Sequence, residues 1–314
     1  MDILIGYTGF VGQNLNKQHQ FDAIFNSKNI TAAYGLKPDL CVYSGVRAEK
    51  FRADSFPDED LAHIKNALEN IQRIKPKKLV LISTVDVIPM GQATDVYEDT
   101  HYSTDKLTPY GKNRLFLEQE VRRLYPDALI MRLPALFGYG LKKNFIFDII
   151  NYVPAMLKKA KFDDLVSKQQ QLTEFYSVDE NEFYRLKPNI TREDKARLQD
   201  MFKRLEFSAL NFTDSRSRFA FYHLDYLWSH IQILLNAEVK LAHMACTPVS
   251  AAEVYQEIYG ADFSNEILSQ PFDYTFFKTR FAQLLGGNSD YIFSKSAIIN
   301  QIASFVRSME NKNV

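Results

Sequence analysis

The stretch Asp2-Ile-Leu-Ile-Gly-Tyr-Thr-Gly-Phe-Val-Gly-Gln-Asn-Leu15 sets a short apolar run, Ile3 to Ile5, directly against glycines at positions 6, 9 and 12, with a helix-like pattern following. A buried parallel strand reads as such a run. Glycines after it allow a tight turn and let backbone approach a phosphate closely. The N-terminus of the helix that follows then supplies free N–H groups and a positive dipole end for phosphates on the turn. Gly6, Thr8, Gly9, Phe10, Val11 and Gly12 are therefore candidate phosphate contacts. The Gly-x-x-Gly-x-x-Gly spacing differs from the Gly-x-Gly-x-x-Gly of the ordinary dinucleotide fingerprint, so the triad alone is equally compatible with a bare strand-to-helix turn.

Outward from this turn, apolar and β-branched runs recur between helical patterns: Ala23 to Phe25, Leu40 to Tyr43, Leu79 to Ile82 and Leu129 to Leu133. That alternation predicts βαβ units and a Rossmann-like, doubly wound parallel sheet. Leu61, Ile64, Leu68 and Ile71 fall at helical spacing between Pro57 and Ile74, and Lys75-Pro76 ends that helix before the next strand. After Gly140 the chain turns aromatic and basic, and Thr191-Arg-Glu-Asp194 reads as the capping box of a charged helix. A first domain over 1–140, to which a later segment at about 208–245 returns, and a smaller lobe mainly over 141–314 are expected.

The chain has 314 residues with 38 Lys+Arg against 38 Asp+Glu, which gives no electrostatic reason to expect nucleic acid or an anionic membrane as partner. Two cysteines, Cys41 and Cys246, supply neither a disulfide framework nor metal-ligand spacing, and the histidines are scattered, so no metal site is expected. No stretch approaches the roughly 18 apolar residues of a spanning helix, and a cytoplasmic location is expected.

Two further segments carry chemistry. Lys78-Leu-Val-Leu-Ile-Ser-Thr-Val-Asp86 is a buried strand ending in the hydroxyls of Ser83 and Thr84, and strand ends on that edge face a ligand crevice. Pro109-Tyr-Gly-Lys-Asn-Arg114 starts a helix whose apolar face continues through Leu115, Leu117 and Val121. The glycine triad, Leu81-Ile-Ser-Thr84 and the Tyr110-Gly helix with Glu118 together resemble the extended short-chain dehydrogenase/reductase superfamily, in its NAD-dependent epimerase/dehydratase branch. Arg132-Leu-Pro-Ala-Leu-Phe-Gly138, Arg218-Phe-Ala-Phe-Tyr-His-Leu-Asp225 and Thr247-Pro-Val-Ser250 resemble later elements of that branch in the same order.

The resemblance implies an NAD(P)-dependent epimerase, reductase or dehydratase acting on a nucleotide-linked sugar, with a dimer as a frequent assembly. It implies Tyr110 as general acid/base, Thr84 as the hydroxyl that orients the substrate oxygen, and residue 114 as the cation beside the phenol and the nicotinamide ribose. A phenol ordinarily titrates near about 10, so a cation on the same helical face is needed to favour phenolate near neutral pH, and i, i+4 spacing supplies that face. The family has Lys at this position and this chain has Arg114. Lys112 is no substitute, since two residues along a helix turn roughly 200°. Arginine is planar and permanently charged, so a cofactor-binding protein without turnover stands as the rival reading. Tyr102-Ser-Thr-Asp-Lys106 has the same Tyr-to-Lys spacing but precedes the helix start at Pro109, which ranks it below Tyr110.

At the adenosine end, an acid about 20 residues after the turn would take the ribose hydroxyls of NAD. Here the second strand runs into Asn26-Ser27-Lys28 instead, and Ser27 or Lys28 would suit the 2′-phosphate of NADP; NAD remains the alternative. By resemblance Ser44, Gly45 and Arg47 line the cofactor phosphates, Ser83, Pro134 and Leu136 face the cofactor, and Asn144 and Arg218 hold the diphosphate of the substrate.

Overall fold

The computed structural model describes residues 1–179 and 182–313. Along the chain come β1 (Asp2–Ile5), α1 (Phe10–Gln18), β2 (Ala23–Phe25), β3 (Leu40–Tyr43), α2 (Lys50–Ser55), α3 (Pro57–Ile74), β4 (Lys78–Thr84), α4 (Pro109–Leu124), β5 (Leu129–Leu133), β6 (Ala135–Phe137), α5 (Phe145–Ile150), β7 (Met156–Lys158) and α6 (Lys159–Lys168). There follow β8 (Tyr176–Val178), β9 (Phe183–Leu186), α7 (Arg192–Arg204), β10 (Arg218–Phe219), β11 (Phe221–His223), α8 (Leu227–Asn236), β12 (Leu241–His243), β13 (Val249–Ser250), α9 (Ala251–Tyr259) and α10 (Lys295–Asn313).

The described residues divide into two compact units. The first takes Met1–Leu141, Arg218–Ser250 and Phe272–Gln301. Its centre is a six-stranded sheet in the order β12-β5-β4-β3-β1-β2, with each adjacent pair parallel. This is a Rossmann-like fold. From β1 the chain steps to β2 on one side and then crosses to β3 on the other, so the topological switch lies at the carboxyl ends of β1 and β3, where such sheets open a crevice. Ile3, Ile5, Cys41, Tyr43, Leu79, Leu81 and Ile130 share one core with Ile64 and Ile71 of α3 and Leu117 and Val121 of α4. Leu4, Val42, Val80 and Met131, which point the other way by strand alternation, are equally buried. Burial on both faces is why these strands read as unbroken apolar runs.

The second unit takes Lys142–Ser217, Ala251–Pro271 and Ile302–Val314. A small antiparallel sheet in the order β7-β9-β8 covers a core of Leu157, Phe162, Leu165, Phe175, Tyr176, Leu198 and Phe202. Helix α7 starts with the expected capping box: Thr191 accepts from the Asp194 N–H, and the Asp194 carboxylate accepts from the Thr191 N–H. Among the described residues no helix is long and apolar enough to cross a membrane.

Candidate active site

The turn after β1 is built by mutual contact of glycine backbones. The Gly6 N–H donates to Phe25 O at 2.7 Å and Gly9 N–H to Gly6 O at 3.0 Å. Gly6 sits at φ +89°, and a Cβ there would lie 2.7 Å from the Gly45 backbone. A Cβ on Gly12 would run into the Gly6 carbonyl. The first and third glycines thus weld the turn to β3 and to α1. Ser44 completes the seam, its N–H and hydroxyl donating to Ile5 O at 2.9 and 2.8 Å.

Gly9 serves differently. It is exposed, and a Cβ there would meet only Gly6 O, at 3.3 Å. As N-cap of α1 it offers no side-chain hydrogen bond, so the first-turn N–H groups of Phe10, Val11 and Gly12 have no cap from that residue. An open backbone approach, uncapped N–H groups and exposed Thr8 fit a dinucleotide pyrophosphate at the switch point. Beyond β2, Lys28 N–H donates to Asn26 Oδ1 at 2.9 Å, which leaves Ser27 and Lys28 exposed on a tight turn. Asp22 is elsewhere: its carboxylate accepts from Asp2 N–H, at the amino end of the sheet.

At the end of β4, alternation separates the two hydroxyls. Ser83 shares the face of Leu79 and Leu81, and its Oγ donates to Glu118 Oε1 of α4 at 2.5 Å. Glu118 in turn pairs with buried Arg132. Thr84 turns the other way, accepts from Asp86 N–H at 3.2 Å, and lies 3.3 Å from an Asp86 carboxylate oxygen. Lys50 of α2 holds the other oxygen of Asp86 at 2.6 Å.

Helix α4 docks its N-terminus on this turn. Gly111 is needed because a Cβ there would run into the Asp86 carbonyl, so the Tyr-Gly pair seats Tyr110 beside the end of β4. Thr108 caps the helix, and Asp54 of α2 accepts the Tyr110 N–H at 2.9 Å. The Tyr110 side chain is buried, and burial drives its pKa up. Arg114 pulls the phenol down while Asp86 and Asp60 push it up, and the net direction is upward. The expectation that a cation at 114 brings the phenol toward neutral pH is therefore offset by burial.

Arg114 does lie on the Tyr110 face of the helix, with its Cζ 4.3 Å from the ring centroid. Its Nη1 donates to Asp60 at 2.7 Å and its Nη2 to the Arg47 carbonyl at 2.5 Å. Arg47 thus contributes a carbonyl to the helix as well as an exposed side chain to the loop after β3. Tyr102, in the loop, is partly buried and its phenol is also pushed up, chiefly by burial.

Pro134 is buried and Leu136 half-buried, at the start of β6. Arg218 lies on β10, its N–H donating to Phe272 O at 2.7 Å. In the second unit, Asn144 is the N-cap of α5, accepting from the N–H groups of Ile146 and Phe147 at 3.0 and 3.2 Å. Its φ of 100° with ψ of 174° is a backbone state that residues other than glycine rarely adopt.

Lys50, Asp54 and Asp60 carry no signal in the sequence, and Asp86 appears there only as the residue that follows the strand. Asp60 sits in an acidic first turn, Asp58-Glu-Asp60, that reads as ordinary helix-dipole compensation. No local signal ties it to Arg114, 54 residues away.

The fold and its turn define a Rossmann-like protein of the extended short-chain type. Residues 10–180 match the NAD dependent epimerase/dehydratase family, and the chain belongs to that family. Similar solved structures include a dTDP-4-dehydrorhamnose reductase from Yersinia enterocolitica, 14% identical with a TM-score of 0.62 over 98% of this chain and 99% of that one. The same enzyme from Bacillus anthracis, in complex with NADP, is 15% identical with a TM-score of 0.62 over 98% and 97%. A UDP-glucose-4-epimerase from Stenotrophomonas maltophila with bound NAD is 12% identical with a TM-score of 0.58 over 99% of each chain. At these identities the likeness is one of fold. No curated protein matches the sequence.

Proposed function

We propose that this chain is an NAD(P)-dependent enzyme that transfers hydride to or from a nucleotide-linked sugar. One observation carries the reading: Gly111 seats Tyr110 against the turn that bears Thr84, in the same unit and sheet as the open glycine turn of α1. Gly6, Gly9, Gly12, Ser44 and Gly45 would hold the pyrophosphate of the cofactor, with Ser27 and Lys28 favouring a 2′-phosphate and hence NADP. When bound, the nicotinamide supplies or accepts hydride. Tyr110 passes a proton to or from the reacting oxygen, and Thr84 orients that oxygen. Residues 1–140 with the returning segments would bind cofactor and the remainder mainly substrate; Asn144 of the second unit and Arg218 of a returning segment would be substrate contacts. The reductase and epimerase neighbours act, by their names, on dTDP- and UDP-linked sugars, which supports that substrate class.

The engagement of Arg114 by Asp60 favours a second reading, a cofactor-binding protein without turnover. Titration with NADPH and NADH, followed by assay against dTDP- and UDP-linked sugars, separates the two. The enzyme reading expects Tyr110→Phe to abolish turnover while cofactor affinity stays nearly unchanged; unaltered turnover in that variant sinks it. Tight binding with no turnover across the panel favours the second.

A further inference from the structure

Resting on the hydride-transfer reading of the site, we propose that Asp60 is a positioning residue: it commits Arg114 to the protein rather than to a cofactor ribose, and leaves Tyr110 as proton donor in the reduction of a carbonyl-bearing sugar.

The geometry is that of a closed clamp. Arg114 and Asp60 pair at 2.7 Å with side chains 5% and 11% exposed. The same Asp60 oxygen takes a hydrogen bond from Asn113 Nδ2 at 2.9 Å, and Asn113 Nδ2 also donates to Pro57 O at 3.1 Å. The remaining side of the guanidinium is taken by the Arg47 carbonyl. Turning Arg114 out would leave the mostly buried Asp60 carboxylate without its cation and with only the Asn113 hydrogen bond, an unfavourable arrangement. The cation therefore stays against the Tyr110 ring, with its charge compensated at contact distance by Asp60.

The charged groups around Tyr110 are Arg114 on its own helix, Asp60 from α3, Asp54 and Lys50 from α2, and Asp86 from the turn after β4, whose charge is also felt by Tyr274. Lys50, from a more exposed position, pairs with Asp86, so each cation comes with its own carboxylate. Burial then decides in favour of the neutral phenol. A neutral phenol can give a proton but cannot take one. In the reduction the carbonyl carbon gains hydride from a reduced nicotinamide cofactor as its oxygen takes the Tyr110 proton. The carbonyl becomes an alcohol, the nicotinamide is oxidised, and the tyrosinate regains a proton from water.

The test is made on the full chain labelled with 13C at tyrosine Cζ, the Tyr110 signal being assigned by its loss in Tyr110→Phe. In cofactor-free wild type, Tyr110 stays protonated to above about pH 10. In Asp60→Asn it should ionise at least about one pH unit lower, because Arg114 is then uncompensated. An unchanged titration overturns the proposal. The double variant Asp60→Asn/Arg114→Gln carries no unpaired charge, so it folds even if the single variant does not. It should bind NADPH within about twofold of wild type. A loss of about tenfold or more would put Arg114 on the cofactor and overturn the proposal. Wild type that binds no NADPH would defeat the hydride-transfer reading and the reduction with it, whereas the titration, which needs no cofactor, still decides what Asp60 does to Tyr110.

Discussion

Arg132 and Glu118 face each other through a forked ion pair: Nη2 lies 2.6 Å from Oε2 and Nε 3.1 Å from both carboxylate oxygens, with side chains 5% and 1% exposed. The pair ties β5 to the tyrosine-bearing helix, and Ser83 and His243 complete it on either side. Glu118→Ala would strand a buried guanidinium and should cost about 3–5 kcal/mol of stability. Replacing both partners with apolar residues of similar volume, Glu118→Leu with Arg132→Met, should recover most of that. Urea unfolding of wild type and the two variants measures it; a single variant as stable as wild type would show that the pair is not buried as described.

His243 should make the protein acid-sensitive. Its Nδ1–H donates to Lys278 O at 2.8 Å, so Nε2 is the acceptor for Arg132 Nη1 at 3.2 Å. Burial and the Arg132 charge hold its pKa down to about 3 from the ordinary 6.5. Between those values the unfolded chain binds more protons than the folded one, so stability rises with pH across that window and is lost as pH falls from 6.5 toward 3. His230, held down to about 4 by burial, adds in the same direction. Denaturant midpoints over this range should slope less in His243→Gln than in wild type; parallel slopes would contradict the assignment.

Gly12→Ala should disable the cofactor turn. Its Cβ would collide with the Gly6 carbonyl, a backbone atom fixed by the Gly9 hydrogen bond. Overpacking of this kind costs about 1–3 kcal/mol. NADPH affinity should fall by about tenfold or more, since the first-turn N–H groups move with the helix. Isothermal titration reads the loss, and wild-type affinity would mean the cofactor does not sit on this turn.

Lys28 is expected to select the cofactor. With Asp22 engaged at the other end of the sheet and no acid at the end of β2, Lys28→Ala should weaken NADPH by about tenfold and leave NADH unaltered. Equal effects on both cofactors would remove Lys28 from the 2′-phosphate.

Asn144 combines a strained backbone with a cap. Asn144→Ala keeps the strain and loses the cap, at about 1 kcal/mol, whereas Asn144→Gly loses the cap but relaxes φ. Glycine should be the milder change in thermal unfolding; the reverse order would mean that this backbone state carries no strain large enough to offset the chain entropy of glycine.

The sheet was legible from sequence because its strands are buried on both faces. Leu40–Tyr43 and Leu129–Leu133 coincide with their apolar runs, and Pro57–Ile74 with its helical spacing. β12 escaped notice, being three residues long and ending in histidine. The stretch 218–225, quoted above as one element, is broken at Ala220, where β10 pairs with β13 and β11 with β6. The placement of Tyr110 and Arg114 on one helix face and of Thr84 at a strand end was legible because a helix and a strand fix such spacing locally. The carboxylates that govern them were not, because Asp54, Asp60 and Asp86 meet α4 through tertiary contacts that leave no periodicity.

The place of β12 at the edge of the sheet bears on how the chain must be made. β5 gains its outer partner, and Arg132 its contact with His243, only from a strand that follows the whole of Lys142–Ser217. During vectorial synthesis the ribosome therefore extrudes five adjoining strands with an open edge at β5 and waits, at about 5–20 residues per second, on the order of ten seconds for the strand that closes it. Such an edge is a template for pairing with another nascent chain. Fragments ending near Leu141 should aggregate as they emerge, and a chaperone that shields β5 until Leu241 arrives would raise the yield of native protein.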